Sequence, residues 1–201
     1  MKITKIMLGA ALALSTAACT MTDGAIATTT RAAPQAAGVL VGATAPSYSV
    51  QKLNVNVPRS LIVSESNSFV PSGDIVWRGD PYGDRYQQIE AILREGMGRG
   101  IKQMRGQQDV IVDIELTRFH SLTERTRYSV GGNHAIHFLM TVRDAKTGAV
   151  VQGPRLIKAD LKGFGGEAAI QAERAGQTQK VRITDHLSRV IVQQLSAAPT
   201  A

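Results

Sequence analysis

Hydrophobic and polar residues alternate in several stretches of the chain, and this period of two predicts the strands of a sheet. The alternation is clearest over 110–116, and it recurs over 53–57 and 136–142. Two shorter apolar runs, 61–63 and 75–77, predict short extended pieces. Because the polar positions of each long run fall on one side, we expect a sheet with one buried and one wet face.

Apolar residues recur every three or four positions in two other stretches, which predicts amphipathic helices. The first helix is predicted over 82–104, starting after Asp80 and Pro81, which suit a helix cap and a first helical position. The second stretch, 167–195, contains a predicted break at Gly176.

Three glycines interrupt the first predicted helix, at positions 96, 98 and 100. Each glycine costs up to about 1 kcal/mol relative to alanine in a helix interior. Two explanations stay open: another element packs closely against that side of the helix, or its last turns are loose.

A hairpin is predicted where Asp144 and Gly148 bracket a tight turn. The following segment, 150–161, should therefore return antiparallel to the strand before the turn. Pro154 lies within it, and proline lacks the donor that a central strand needs, so we expect an edge or bulge position there.

The element order predicts an α+β fold for residues 47–197: a single small antiparallel or mixed sheet with two main helices packed on one face. The other face is expected to be partly open. A leader and a flexible tether precede this domain.

Residues 1–18 have the features of an export leader. Lys2 and Lys5 precede a short apolar run, and small residues follow at 15–18. The run is far shorter than the ~20 apolar residues that span a bilayer. We therefore expect the segment to be removed.

The only cysteine, Cys19, follows this leader directly. The tetrapeptide Thr16–Cys19 resembles the bacterial lipobox, whose cysteine is lipidated and becomes the new N-terminus, although Thr16 stands where leucine is usual. Ordinary secretion is the alternative, because Thr16 and Ala18 also fit a small-x-small cleavage site. A single cysteine forms no internal disulfide, which favours the lipid reading.

Residues 19–46 are rich in Ala, Thr and Gly and show no sustained period, so they are predicted to be a flexible tether. Residues 198–201 are predicted to be a disordered tail.

The chain is basic, with a net charge of +7, or +5 once Lys2 and Lys5 are removed with the leader. A basic exported protein favours acidic partners such as anionic envelope components. The charges are scattered, however, and only 4% of residues are aromatic, which argues against nucleic acid as a partner.

The carboxylates of Asp109, Asp113 and Glu115 are predicted to share the wet face of one strand. Paired carboxylates can act as acid and base or bind calcium. Carboxylates two residues apart on a strand more often pair with basic residues on neighbouring strands. An envelope hydrolase using Asp113 and Glu115 is therefore kept only as an alternative.

The histidines give no metal site. His134 and His137 are separated by an odd number of residues on a predicted strand, so they point to opposite faces. They are expected to be surface or capping residues, and His120 and His186 have no ligand at metal-binding spacing.

The glycines at 163–166 lie between a strand and a helix, where free amides can attract phosphate. The spacing is not that of a nucleotide loop, so a turn is the expected role. No cofactor, metal or catalytic residue is predicted, and the protein is expected not to be an enzyme.

Three long stretches carry a resemblance to a known family: IVWRGDPYGDRYQQIEAILREGM, DIELTRFHSLTERTRYSVGGNH and GPRLIKADLKGFGGE. Together with the leader, they resemble an uncharacterised family of small alphaproteobacterial lipoproteins. The resemblance covers about 48–195 and implies no activity. In element order alone, the domain is also similar to auxiliary lipoproteins of envelope transport systems.

These observations predict a lipid-anchored protein on the periplasmic side of the bacterial envelope, at the outer rather than the inner membrane. The expected role is a non-enzymatic binding or assembly module. Its partners would be the membrane, through the lipid, and an envelope protein complex or anionic component.

Overall fold

The computed structural model describes residues 47–197, which form an α+β fold on one mixed sheet. The predictions for Cys19 and for residues 1–18, 19–46 and 198–201 lie outside the described part. The strands and helices are β1 (Tyr48–Asn56), β2 (Ile75–Val76), α1 (Arg85–Ile101), β3 (Gln108–His120), α2 (Glu124–Arg127), β4 (Gly132–Asp144), β5 (Val150–Lys158), β6 (Leu161–Gly163), α3 (Gly166–Arg174) and α4 (Gln179–Ser196).

The sheet has the strand order β1-β3-β4-β5. β1 runs parallel to β3, whereas β3, β4 and β5 are antiparallel to their neighbours. α1 connects β1 to β3, as parallel strands require a crossover rather than a hairpin. β2 adds a short parallel pairing at the end of β3, and β6 pairs with the beginning of β4.

The predicted hairpin between β4 and β5 is confirmed. A side-chain oxygen of Asp144 accepts a hydrogen bond of 2.8 Å from the Thr147 amide, and Gly148 has a positive φ of 73°. β5 is an edge strand, and its register with β4 shifts between Gln152 and Arg155, which flank Pro154.

The prediction that this strand continues to residue 161 was wrong, because β5 ends at Lys158. An Asp160 side-chain oxygen accepts the amide of Ile136 at 3.1 Å, in the position that a strand carbonyl would otherwise occupy. The chain resumes pairing as the separate strand β6. The apolar run 61–63 is also shorter than expected, since it contributes only an isolated bridge between Val63 and Ile75.

α1 begins at Arg85, so the predicted start after Asp80 was wrong. Asp84 is the N-cap, and its side chain accepts the amide of Gln87 at 3.2 Å. Asp80 is used elsewhere, because its carboxylate accepts the indole N–H of Trp77 at 2.9 Å and pairs with Lys180 at 2.8 Å.

α1 and α4 cover one face of the sheet, as predicted. The residues between helices and sheet are almost completely buried, and the largest of them are Trp77, Phe119, Phe138, Ile75, Ile89, Ile92, Leu93, Met97, Ile114, Leu116, Ile136 and Met140. Arg155 on β5 points to the same side, where it donates to the Gln194 side chain of α4 at 2.6 Å.

Two of the three glycines in α1 allow close packing of α4, which confirms the first of the two explanations. A Cβ atom on Gly96 would lie 2.7 Å from the Thr184 carbonyl oxygen, and one on Gly100 would collide with the Ser188 carbonyl oxygen. A Cβ atom on Gly98 would meet nothing within 4 Å.

The C-terminal helical stretch is divided at Gly176, which has a positive φ of 75°, as predicted. α4, on the C-terminal side of the division, contributes a continuous apolar stripe to the core, whereas α3 buries only Ala169. Among residues 47–197, no helix is long and apolar enough to cross a membrane.

Candidate functional site

Asp113 lies on the face of the sheet opposite the two helices, between the hydrogen-bond donor Asn54 and the cation Arg143. Its carboxylate accepts a hydrogen bond from the Asn54 amide at 2.7 Å and pairs with the Arg143 guanidinium at 2.6 Å. Partial burial alone would raise the pKa of Asp113, but the hydrogen bonds from Asn54 and Arg143 outweigh it and hold this pKa below its usual value. The Asp113 carboxylate is therefore ionised near neutral pH, and the Arg143 guanidinium balances its charge.

The other two predicted carboxylates share this face, as expected from their spacing. Asp109 accepts a hydrogen bond from the Gln51 side chain at 2.9 Å, and exposed Glu115 lies in register between Asn56 and Leu139. The three carboxylates therefore lie in a line along β3. They do not converge on one point where a substrate or ion would be held, and nothing in residues 47–197 favours the hydrolase alternative.

His134 and His137 point to opposite faces of β4, as predicted. His137 pairs with Asp160 at 2.9 Å on the open side. The expectation of a surface or capping role was wrong for His134, which is fully buried and accepts the Leu122 amide at 3.4 Å. Burial, reinforced by nearby Arg182 and Arg127, lowers the pKa of His134 to about 4, so the ring is neutral.

The remaining histidines are apart from these two. His120 hydrogen-bonds through its Nε2 to the Pro71 carbonyl oxygen at 2.9 Å, and His186 is partly buried on α4. Within the described residues, no group of three or more His, Cys, Asp or Glu side chains is arranged to hold a metal ion.

The glycines at 163–166 form a turn between β6 and α3, as expected. A Cβ atom on Gly131 would lie 2.8 Å from the Gly165 amide nitrogen, so two backbone segments meet here without side chains between them. This contact brings the turn after α2 against the turn before α3.

Several exposed apolar side chains lie around this contact and form one surface. Val70 is 84% exposed and Val130 is 77% exposed, although both are large and apolar. They border one depression of about 330 Å³. We call this surface the apolar cap and define it as Phe69, Val70, Tyr128, Val130 and Phe164.

The loop 64–73 is held in place by hydrogen bonds to α2. The Thr123 hydroxyl donates to the Ser68 carbonyl oxygen at 2.9 Å, and the Thr126 hydroxyl donates to the Phe69 carbonyl oxygen at 3.1 Å. These bonds fix the backbone of the loop, so its apolar side chains are held in a defined position at the surface.

Arginines rim the cap and lie over its aromatic rings. The guanidinium carbon of Arg125 is 4.6 Å from the centre of the Phe69 ring, and that of Arg182 is 3.7 Å from the centre of the Phe164 ring. Arginine and aromatic side chains are enriched in the cores of protein–protein interfaces.

The cap lies at the opposite end of β3 from Ser47, the first described residue. The Ser47 carbonyl oxygen accepts the amide of Gln108 at the beginning of β3, whereas Pro71, which follows Val70 of the cap, contacts His120 at the end of β3. At ~3.3 Å per residue, the thirteen residues of β3 separate these two ends by about 40 Å.

Sequence reasoning missed the cap, although a signal was present. Phe69, Val70 and Pro71 interrupt a loop of Ser, Asn and Gly residues, and no strand or helix period accounts for them. Large apolar residues that belong to no predicted helix or strand are not expected to be buried in the core. They therefore indicate an exposed apolar surface.

Comparison with known proteins places this chain in a family. The profile described as "Family of unknown function (DUF6778)" matches residues 48–201. The chain belongs to this family. The resemblance to an uncharacterised family is thereby confirmed, whereas alphaproteobacterial origin and lipidation stay predictions. No curated protein matches the chain.

Two solved structures are similar to this DUF6778 protein. One is a "putative lipoprotein" from Caulobacter crescentus CB15, 18% identical, with a TM-score of 0.32, covering 53% of this chain and 80% of that one. The other is XCC0632 from Xanthomonas campestris, of family DUF330, 14% identical, with a TM-score of 0.44, covering 76% of this chain and 85% of that one. Similarity at this level carries no argument about function.

The DUF6778 match begins at the first residue of β1. It therefore includes the sheet, both covering helices and every residue of the apolar cap. The surface described above is part of the family's domain and does not come from an appended segment.

Proposed function

We propose that this DUF6778 protein is a lipid-anchored component of the bacterial cell envelope that acts as a non-enzymatic binding or assembly module. In this proposal Cys19 carries the lipid, at the periplasmic side of the outer membrane, and residues 19–46 are the tether. Fully extended, that tether would reach about 90 Å. The apolar cap is the surface that binds the partner.

The observation that carries this proposal is the exposure of the cap. Contiguous apolar surface rimmed by polar residues is typical of interaction sites in soluble domains. All five cap residues are large hydrophobic side chains with at least 40% of their surface exposed: Phe69, Val70, Tyr128, Val130 and Phe164.

The partner that fits this surface is a protein segment with apolar side chains beside acidic ones. The apolar side chains would fill the depression between Val70 and Val130. The acidic ones would pair with Arg125, which is exposed, lies over Phe69 and has no carboxylate within 4.0 Å in the described part of the chain.

The tether would let the cap reach a partner away from the anchoring surface. The tether would join the domain at Ser47, about 40 Å from the cap along β3. An extended tether of about 90 Å is longer than this distance, so the domain could turn and present the cap to another envelope protein.

Site-specific photocrosslinking in intact cells tests the cap. A photoreactive amino acid at Val70 is expected to give one discrete protein adduct, and the same group at Val150, an exposed valine at the other end of the sheet, is expected not to give it. Arg125→Glu should remove the Val70 adduct. The crosslinked peptide of the partner should contain apolar and acidic residues.

The proposal fails if both positions give the same adducts, if Val70 gives none, or if Val70 captures lipid alone. The anchor is tested separately, because Cys19→Ser is expected to release the protein from membranes. Retention of the substituted protein, or an unmodified Cys19 thiol in mass spectrometry of the native protein, would overturn the anchor and leave the cap untouched.

A further inference from the structure

A small cavity lies beneath α3, where α3 meets α2, β4 and the beginning of α4. Its volume is about 10 Å³, which is room for about one water molecule. Arg127, His134, Gln179 and Arg182 line it from the body of the domain, and Glu173 lines it from α3.

Two polar atoms at this cavity are buried without a hydrogen-bond partner. Gln179 is only 4% exposed, and its Oε1 has no donor, while its Nε2 donates to the Ser121 hydroxyl at 3.4 Å. The Nε of Arg127 lies 3.2 Å from a Glu173 oxygen, but not in hydrogen-bond geometry. Unpaired buried polar atoms cost about 1–3 kcal/mol each, so two of them at one cavity favour a polar occupant.

The cavity is positive. Burial lowers the pKa of Arg182 from its usual value, although not enough to discharge a guanidinium, and His134 stays neutral near pH 7. Arg127 is the second cation, and Glu173 is the one carboxylate among the residues that line the cavity. One carboxylate oxygen of Glu173 faces Arg127, and the other accepts a hydrogen bond of 3.0 Å from the Tyr128 hydroxyl.

The helix that brings Glu173 here is weakly attached. α3 has nine residues and buries only Ala169, and its N-cap residue makes no side-chain capping bond. Gly166 at its beginning and Gly176 just after its end have positive φ values of 54° and 75°. Elements with few buried apolar contacts open at low free-energy cost.

We propose that this cavity is the closed form of a phosphate-binding site, and that α3 is its lid, with the Glu173 carboxylate occupying the place that the phosphate takes when the lid lifts. The site is additional to the proposed function and does not depend on it. A cavity for one water is too small for phosphate, so binding requires α3 to move.

The donor and acceptor pattern selects phosphate among small anions. The guanidinium groups of Arg127 and Arg182 donate to anionic oxygens. Gln179 Oε1 is an acceptor and needs a hydrogen from the ligand. Inorganic phosphate near neutral pH offers both anionic oxygens as acceptors and a hydroxyl as donor, because it retains at least one P–OH. Sulfate and carboxylates offer only acceptors, and a phosphate monoester, with a second pKa of about 6, is mostly without a hydroxyl.

Binding measurements on the full-length protein test this. Calorimetric titration near neutral pH and constant ionic strength is expected to show binding of inorganic phosphate, weaker binding of glycerol phosphate as a headgroup analogue, and the weakest binding of sulfate. Glu173→Gln removes the internal competitor and should tighten phosphate binding about tenfold. Glu167→Gln on the same helix is the matched control, because Glu167 is exposed and bonded only to Gln171, and it should change nothing.

Gln179→Leu should abolish the preference for phosphate over sulfate while anion binding persists. If Gln179→Leu fails to fold, the comparison of Glu173→Gln with Glu167→Gln still tests the proposal. The proposal is overturned if phosphate and sulfate bind equally, if both glutamate variants respond alike, or if no variant binds phosphate and the cavity holds a water molecule only. Glycerol phosphate binding more tightly than inorganic phosphate would assign the site to a headgroup and contradict the role of Gln179.

Discussion

The two C-terminal helices pack against the domain in opposite ways. α4 buries a continuous apolar stripe and approaches α1 so closely that Gly96 and Gly100 have no room for a side chain. α3, only four residues earlier in the chain, buries one alanine and covers polar atoms that have no partners.

This contrast divides the domain into a tightly packed part, formed by α1, α4 and the sheet, and a loosely attached part, α3. We call the tightly packed part the support. Contacts like those of α1 with α4 and the sheet supply most of a domain's stability, because the free energy gained scales with apolar area removed from water. The contacts of α3 are mostly polar and add little, so we expect α3 to move without unfolding the domain. The cavity under α3 and the apolar cap adjoin each other at the end of the sheet far from Ser47.

The largest expected effect is at the α1–α4 contact. Gly100→Ala should lower the free energy of unfolding by about 3 kcal/mol, because the new methyl group meets the backbone of α4, which cannot turn aside as a side chain would. Gly98→Ala, two residues away and facing open space, should instead raise it by up to about 1 kcal/mol through helix propensity. Denaturant titration measures both, and equal effects would show that the helices do not approach as described.

The next effect concerns acid and the buried ring of His134. Its pKa is lowered to about 4 in the folded protein, so the unfolded chain binds more protons between pH 6.5 and 4, and stability falls as the pH drops through this window. Between pH 6.5 and 5 the loss should be about 1.5 kcal/mol.

His134→Gln should remove this part of the pH dependence. The charged groups around the ring are Arg182, Arg127 and His186, and the pKa of His186 is also lowered by burial, so some dependence will remain in the variant. Unfolding curves of both proteins at several pH values give the difference. An identical slope in the two proteins would mean that His134 is not buried as a neutral ring.

The smallest effect compares exposed alanines in the two kinds of helix. Ala91→Gly in α1 should lower the global free energy of unfolding by about 1 kcal/mol. Ala168→Gly in α3 should lower it by less than half as much, because α3 opens locally before the domain unfolds. Equal losses would show that α3 is part of the cooperative core.

The sequence predicted the support well because its signals are local and periodic. The alternation over 110–116, the helix period before Ile101, and the Asp144 and Gly148 turn each depend on residues within a short window. Those signals also gave the fold class and the face that the helices cover.

The errors and omissions come from contacts between distant residues. Asp80 and Asp84 are both acceptable helix caps, and the choice depends on Lys180, a hundred residues away. The burial of His134 and the strand break at Asp160 likewise depend on the pairing of β6 and β4.

The cavity could not be found from the sequence for the same reason. Arg127, Glu173 and Gln179 belong to three different helices, and no spacing in the chain links them. The cap was visible only as apolar residues without a period. Both features are tertiary arrangements of segments that are unremarkable when each is taken alone.

Native-state hydrogen exchange, resolved by residue, tests the contrast between the two helices most directly. Amides of α3 are expected to exchange at least about a hundredfold faster than those in the middle of α1 and α4, and inorganic phosphate is expected to speed the exchange of α3 alone, because it binds the form in which α3 has lifted. Equal protection of α3, α1 and α4 would contradict the account, since α3 would then be one more part of the support.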